Sequence, residues 1–363
     1  MKKVLCILIS AILIISCPVT VTAAETDKNQ IMTDIAEKII TKNSVSRNAI
    51  KAKTTNYSTQ TNDVIKYDNI DDFIAEVKTE GYVINDLEIS KFIMSYTGLD
   101  WEGLPDSEIL KVLDAKDITI SDDYIEADKN GNTSYLSKAD IDRLLDVDKK
   151  TGRILAAKSA TADKHWYDDN GYMHIRTVVH REQDKSSKLA GYQIAAYADW
   201  LKMPINYYKD VLTIYHNAKF DSSHEVYGKL QQVCYCCTTK FNYLDHMCDR
   251  PKNPYRGNNV RTEYINEKVA AIRFQLINSS AYTCKNSVPN QNHLRSVQSI
   301  LAYMSYGVVH PKGDAFNVQS GYCHKKLPVP SDISISIING LSFSLPVVLS
   351  KTDYKANPIT IFT

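Results

Sequence analysis

The stretch that decides the fold is ISISIINGLSFSL, residues 333–345. Ile333, Ile335 and Ile337 alternate with Ser334 and Ser336; beyond Asn339-Gly340, Leu341, Phe343 and Leu345 alternate with Ser342 and Ser344. Period-two alternation marks a strand with one buried face. A two-residue Asn-Gly turn would set Ile337 opposite Ser342 and send the two apolar rows to different faces, because one step of register flips every side chain. A three-residue loop, Ile338-Asn339-Gly340, instead pairs Ile337 with Leu341, Ile335 with Phe343 and Ile333 with Leu345, with Gly340 in the left-handed bulge position. The prediction is a hairpin with one serine face and one aliphatic face. Such a hairpin belongs to an antiparallel sheet that covers a core on one side, and the architecture that follows is a β-sandwich.

The same alternation recurs upstream. Ile175, Thr177 and Val179 alternate with His174, Arg176, Val178 and His180, and Tyr192, Ile194, Ala196, Ala198 and Trp200 alternate with Gln193, Ala195, Tyr197 and Asp199. Val211 to His216 and Ala270 to Ile277 add two more strands, with turn signals at Asn170-Gly171, Pro204-Ile205-Asn206 and Lys312-Gly313. A β-sandwich-like domain over 149–363 follows.

Residues 64–148 follow a helical period instead. Asp71 or Asp72 caps a helix carrying Phe73, Ile74 and Val77; a second runs from Asp86 to Tyr96; a third starts at Pro105-Asp106 with Ile109, Leu110, Val112 and Leu113 as its stripe. Trp101 falls in the loop between the last two and is read as packing over the helices. The fold class is therefore α+β, a small N-terminal helical module followed by a larger antiparallel β-sandwich domain. Residues 25–63 read as a flexible linker with room for one short helix at Ile31, Ile35, Ile39 and Ile40; the run SVSRNAIKAKTTNYSTQTND (44–63) has almost nothing to bury.

At the N-terminus Lys2 and Lys3 precede an apolar run from Val4 to Ile15 and a small-residue exit at Ala23-Ala24, the pattern of an export signal over 1–24. The run is far shorter than the ~20 residues that span a bilayer, and no later segment supplies a transmembrane span for the mature chain. Ser16-Cys17 offers a lipoprotein alternative, anchored at Cys17, against which Pro18 counts. The whole chain has 43 Lys and Arg against 42 Asp and Glu. Loss of Lys2 and Lys3 with the leader leaves 41 against 42, a mature net charge of −1. A balanced chain has no global pull toward nucleic acid, which is not expected as a partner.

Six cysteines lie beyond the leader: Cys234, Cys236, Cys237, Cys248, Cys284 and Cys323. In an exported chain, an even number confined to one domain points to disulfides. A zinc site from Cys234, Cys236 or Cys237, His246 and Cys248, with Cys323-His324 in reserve, is the competing reading. The single residue between Cys234 and Cys236 is too short for the usual knuckle. Free buried thiols are the third reading. Glu126, Asp128 and Asn130, followed by Gly131, have the first half of a calcium loop, but Thr133 and Ser137 stand where an apolar residue and a bidentate Glu are needed. A polar turn between Tyr124-Ile125 and Tyr135-Leu136 explains them better.

No cofactor is expected, with zinc and calcium the only candidates. There is no Gly-x-Ser-x-Gly elbow, and His224-Glu225 lacks the second histidine of a zinc-protease helix. His174 and His180, six residues and ~20 Å apart on one strand face, read as solvent-facing. The 23 tyrosines reflect strand propensity and core filling, with Tyr207-Tyr208 between strands as the pair best placed to meet a partner. The functional expectation is an exported extracellular or cell-surface binding module, not an enzyme, whose ligand is a protein or a glycan. The alternative is a secreted hydrolase with a metal or cysteine centre near residues 234–248.

Overall fold

The computed structural model describes residues 28, 30–36, 64–68, 70–79, 84–128, 131–137, 139–141, 172–201, 204, 208–222, 225–238, 255–256, 260–276, 293–326, 332–337, 341–344 and 351–362. It consists mostly of antiparallel β-sheets with a few helices. Two compact units divide it. One holds the described residues of Met1–Thr61, Ile65–Thr119 and His180–Asp184, the other those of Asn62–Val64, Ile120–Val179 and Lys185–Thr363.

In the first unit, α1 (Ile70–Thr79) buries Ile70, Phe73, Ile74 and Val77. It begins one residue ahead of the acidic pair: Asp71 and Asp72 occupy its first turn and Lys78 its last, charges that suit the helix dipole at both ends. The second helix, α2 (Asp86–Tyr96), has the limits read from its apolar spacing. A capping box starts it: the Glu88 amide donates to Asn85 Oδ1 at 2.9 Å, and the Asn85 amide donates to Glu88 Oε2 at 3.1 Å. It ends at Thr97 and Gly98, whose φ of 75° is left-handed. Ile89, Ile93 and Met94 are buried, and Phe92 stacks on Phe73 at 5.5 Å between ring centres. Trp101 packs as read: its Nε1 donates to Ser95 Oγ at 2.9 Å, and Lys91 Nζ lies 4.8 Å from its ring centre. The third helix is short, α3 (Asp106–Ile109), and continues as a 3₁₀ turn over Leu110–Asp114. Strand β1 (Val64–Asp68) pairs with β2 (Asp117–Ala127).

In the second unit, the strands of the larger sheet run in the order β2, β4 (Tyr172–Asp184), β5 (Leu189–Trp200), β12 (His293–Pro311), β8 (Tyr227–Thr238), β9 (Tyr255–Arg256), with β3 (Thr133–Tyr135) on β2 and β7 (Lys219–Phe220) on β12. The other sheet runs β10 (Arg261–Asn266), β11 (Val269–Gln275), β6 (Lys209–His216), β13 (Ala315–Lys325), β16 (Lys351–Lys355), with β17 (Ile359–Phe362) also on β13. One hydrophobic cluster joins the inner faces, with Met173, Ile175, Tyr192, Ile194, Trp200, Met304 and Tyr306 from the first and Leu212, Ile214, Ile272, Phe316, Tyr322 and Tyr354 from the second. The sheets approach closely at Gly228, where a Cβ would stand 2.5 Å from Ile272 Cγ2. A larger residue fits there only if Ile272 shifts.

The hairpin of 333–345 has the three-residue register: β14 (Ser334–Ile337) pairs with β15 (Leu341–Ser344), Ile337 opposite Leu341 and Ile335 opposite Phe343. Its loop, Ile338 to Gly340, lies outside the described residues. Strands β4, β5, β6 and β11 fall where alternation places them, while β8, β12 and β13 do not announce themselves. From Ile300 to Val308, β12 is buried on both faces, so the apolar-polar rhythm that reveals a half-buried strand is lost.

Candidate functional site

The outer face of the larger sheet carries a fixed array of charge and aromatic rings. Along β2 and β4, alternation sends Ile125, Met173 and Ile175 inward and Asp122, Tyr124, His174 and Arg176 outward. Arg176 Nε donates to Asp122 Oδ1 at 2.6 Å and Nη2 to Oδ2 at 3.0 Å, a bidentate fork. His174 Nε2 lies 2.7 Å from the same Oδ1, and its ring stacks on Tyr124 with centres 4.4 Å apart and planes 9° from parallel. The side chains of His174, Arg176 and Asp122 are 15%, 19% and 20% exposed, so the cluster is fixed yet open to solvent at its edge.

Burial alone would raise the Asp122 carboxyl, but the charges and hydrogen bonds of Arg176 and His174 outweigh it and hold the group well below the usual carboxylate range. Burial, reinforced by the Asp122 charge, pushes the Tyr124 phenol up to about 12. Further along the same face, Tyr197 of β5 sits opposite Tyr303 of β12, with ring centres 4.7 Å apart, and Tyr303 is in turn opposite Lys229 of β8. Lys229 Nζ donates to Gln231 Oε1 at 2.8 Å.

A second aspartate–histidine cluster lies at one end of the core. Asp210, fully buried at the start of β6, accepts from Tyr322 Oη at 2.5 Å, from the Lys325 amide at 3.1 Å and from His324 Nδ1 at 3.0 Å to each oxygen. Tyr322 Oη in turn accepts from Trp200 Nε1 at 3.1 Å, and the Trp200 ring meets His324 edge-on at 4.9 Å. Burial, then the Asp210 charge, raises the Tyr322 phenol well above its ordinary value. This network ties β5, β6 and β13 together. Elsewhere in the core, His216 Nδ1 donates to the Ala218 carbonyl at 3.1 Å while Nε2 is buried without a partner, and burial lowers the ring to about 4.

The residues singled out from the sequence fare differently. Asn130, Tyr207, His246, Cys248, Cys284 and the leader 1–24 lie outside the described residues, as do the side chains of Cys234, Cys236 and Cys237, whose backbones pair with β12. Cys323 is a free, fully buried thiol, not a bridged one. Burial first, then the Asp353 carboxylate beside it, pushes that thiol well up. Of the calcium candidates, Asp128 and Glu126 hydrogen-bond across the turn between β2 and β3: both Asp128 carboxylate oxygens accept from Asn132, at 2.8 and 2.9 Å, Glu126 accepts from Ser134 at 3.1 Å, and β2 pairs with β3 through Ile125 opposite Tyr135. Tyr208 is half-buried just before β6.

Of the two histidines read as solvent-facing, one is on the outer face but held and the other is buried. His174 is bound to Asp122, and His180 is 8% exposed with both ring nitrogens buried without a partner; burial, with the Lys111 charge, lowers it to about 4. Alternation correctly places His174 beside Arg176 on the polar face, but it carries no trace of Asp122, 52 residues upstream of His174.

No family model and no curated protein matches the chain. Among solved structures it is similar, at TM-score 0.16 and 6% identity over 53% of this chain and 88% of the other, to the NetB toxin of Clostridium perfringens in its membrane-inserted form. A DUF4466 family protein from Parabacteroides merdae gives 0.18 and 11% over 50% of this chain and 44% of its own. AvmM, which catalyses macrocyclization in alchivemycin A biosynthesis, gives 0.17 and 12% over 47% and 80%. Scores this low carry no argument about function. No helix among the described residues is long and apolar enough to cross a membrane.

Proposed function

We propose that this is an exported protein whose leader is removed, whose N-terminal helices form a small module, and whose β-sandwich binds an extracellular ligand, a glycan or a protein, through the outer face of its larger sheet. The observation that supports this reading is the Asp122–His174–Arg176 cluster with its stacked Tyr124. The first three are 15–20% exposed at their side chains, and the charges are already held in place. Aromatic rings beside a fixed carboxylate and guanidinium are the residue types that dominate recognition energetics, and ordering them in advance removes part of the entropic cost of binding. Asp210, with no exposed surface, has no such role.

The test has two parts. N-terminal sequencing of the protein recovered from the culture medium of its host is expected to begin near Glu25; retention in the cytoplasm with residues 1–24 intact contradicts export. On an array of defined oligosaccharides and extracellular matrix proteins, the secreted chain is expected to bind a restricted set, and Arg176→Lys, which cannot reproduce the bidentate fork, to weaken that binding at least tenfold. Binding unchanged in Arg176→Lys, or no binding to any member of the array, contradicts the reading.

A further inference from the structure

His216 is the last residue of β6 and has no exposed surface. Alternation from Leu212 and Ile214, both in the main core, turns its side chain inward between the sheets, away from the outer face that carries Asp122. One contact fixes its tautomer. The Ala218 carbonyl can only accept, so Nδ1 carries the donated proton and Nε2 is left as a lone-pair acceptor. Burial lowers the ring to about 4, which keeps it neutral, and Nε2 an acceptor, at pH 7. That acceptor has no partner. The rings against it are Phe220, edge-on at 4.7 Å, and Tyr306, tilted at 5.6 Å, with 5.1 Å between those two. The Tyr306 hydroxyl is committed to the Ile214 carbonyl at 3.3 Å, and the residue opposite His216 on β13 is the apolar Val318.

A buried acceptor left unpaired is costly and uncommon. A buried water needs roughly two to four polar partners, and here Nε2 is the one on offer. Aromatic walls around a single polar atom are instead the make-up of a small-molecule site. The rings also step outward to solvent: Phe220 is half-buried and meets Tyr264 of β10 edge-on at 4.6 Å, and Tyr264 is 50% exposed. We propose that this end of the sandwich binds a small planar aromatic molecule with a single O–H or N–H, of the phenol or indole class. The ligand enters past Tyr264 as the Phe220 ring turns aside, donates its hydrogen to His216 Nε2, and packs its own ring among Phe220, Tyr306 and Val318.

Phenol and benzene share a ring and differ in the donor, so they are the probes. Each is titrated into the folded full chain at pH 7, with affinity read by calorimetry and the His216 ring nitrogens followed by NMR. Phenol is expected to bind saturably and about tenfold more tightly than benzene, the worth of one hydrogen bond to an acceptor that otherwise goes unpaired. The Nε2 resonance is expected to move with phenol and to stay in place with benzene. His216→Phe keeps a ring at the site and deletes the acceptor, and is expected to bind phenol no more tightly than benzene. If that variant does not fold, the two probes and the Nε2 resonance decide the matter in the wild type. No saturable binding of phenol, equal affinities for the two probes, an Nε2 resonance that phenol leaves unmoved, or a preference for phenol that survives in His216→Phe overturns the proposal.

Discussion

Asp122 and Asp210 each hold a histidine, and in each case an aromatic ring lies against that histidine: Tyr124 stacked on His174, Trp200 edge-on to His324. The two clusters share their components and differ in setting. Asp122 faces outward, is gripped by a guanidinium and is one-fifth exposed; Asp210 is sealed and bound by a phenol, an imidazole and a backbone amide. A buried carboxylate that takes three donors from the strand beside it is a keystone, because removing it strands every donor at once. A carboxylate that fixes an arginine at a solvent edge instead orders charge on the surface.

The comparison breaks most readily at Asp210. Asp210→Ala leaves the Tyr322 hydroxyl, the His324 ring and the Lys325 amide without their acceptor, and is expected to cost about 3–5 kcal/mol in urea unfolding. Asp122→Asn, which keeps the shape and lets water reach what it exposes, is expected to cost only about 1–2 kcal/mol. Equal losses would erase the distinction between keystone and surface cluster.

Acid separates core histidines from surface carboxylate in a second way. His216 and His180, each lowered to about 4, are neutral in the fold at pH values where the unfolded chain, near 6.5, is already protonated. Their contribution is therefore complete above about 6.5 and declines as pH falls toward 4, on the order of 2–3 kcal/mol for each. The Asp122 carboxyl is also depressed, but from its ordinary value of 3.8, so its contribution persists through that window and is lost only at lower pH. Unfolding midpoints between pH 7 and 4.5 are expected to fall, with a shallower slope in His216→Gln; an unchanged slope in that variant removes His216 from the account. At the inner surface, Gly228→Ala is expected to cost about 1–3 kcal/mol, because the new methyl meets Ile272. A neutral result there would show that the sheets shift apart freely.

What was legible in the sequence was local. The hairpin register followed from side-chain alternation, and α2 from apolar spacing; each is settled within about a dozen residues. Strand β12 was hidden because burial on both faces from Ile300 to Val308 erases alternation. Both aspartate clusters were hidden for a different reason: their members meet only through strand order, with 54 residues between Asp122 and Arg176 and 114 between Asp210 and His324. His174 and Arg176 were placed on the correct face, but sequence spacing gives no sign of the carboxylate that turns exposed residues into a fixed array.

The central claim is that Asp122 serves an external ligand while Asp210 serves the fold. It is tested most directly by measuring, on one preparation each of wild type and Asp122→Asn, the melting temperature and binding to the oligosaccharide and matrix-protein array. The account predicts melting temperatures within a few degrees of each other and loss of binding in the variant. Binding that survives Asp122→Asn unchanged would contradict it.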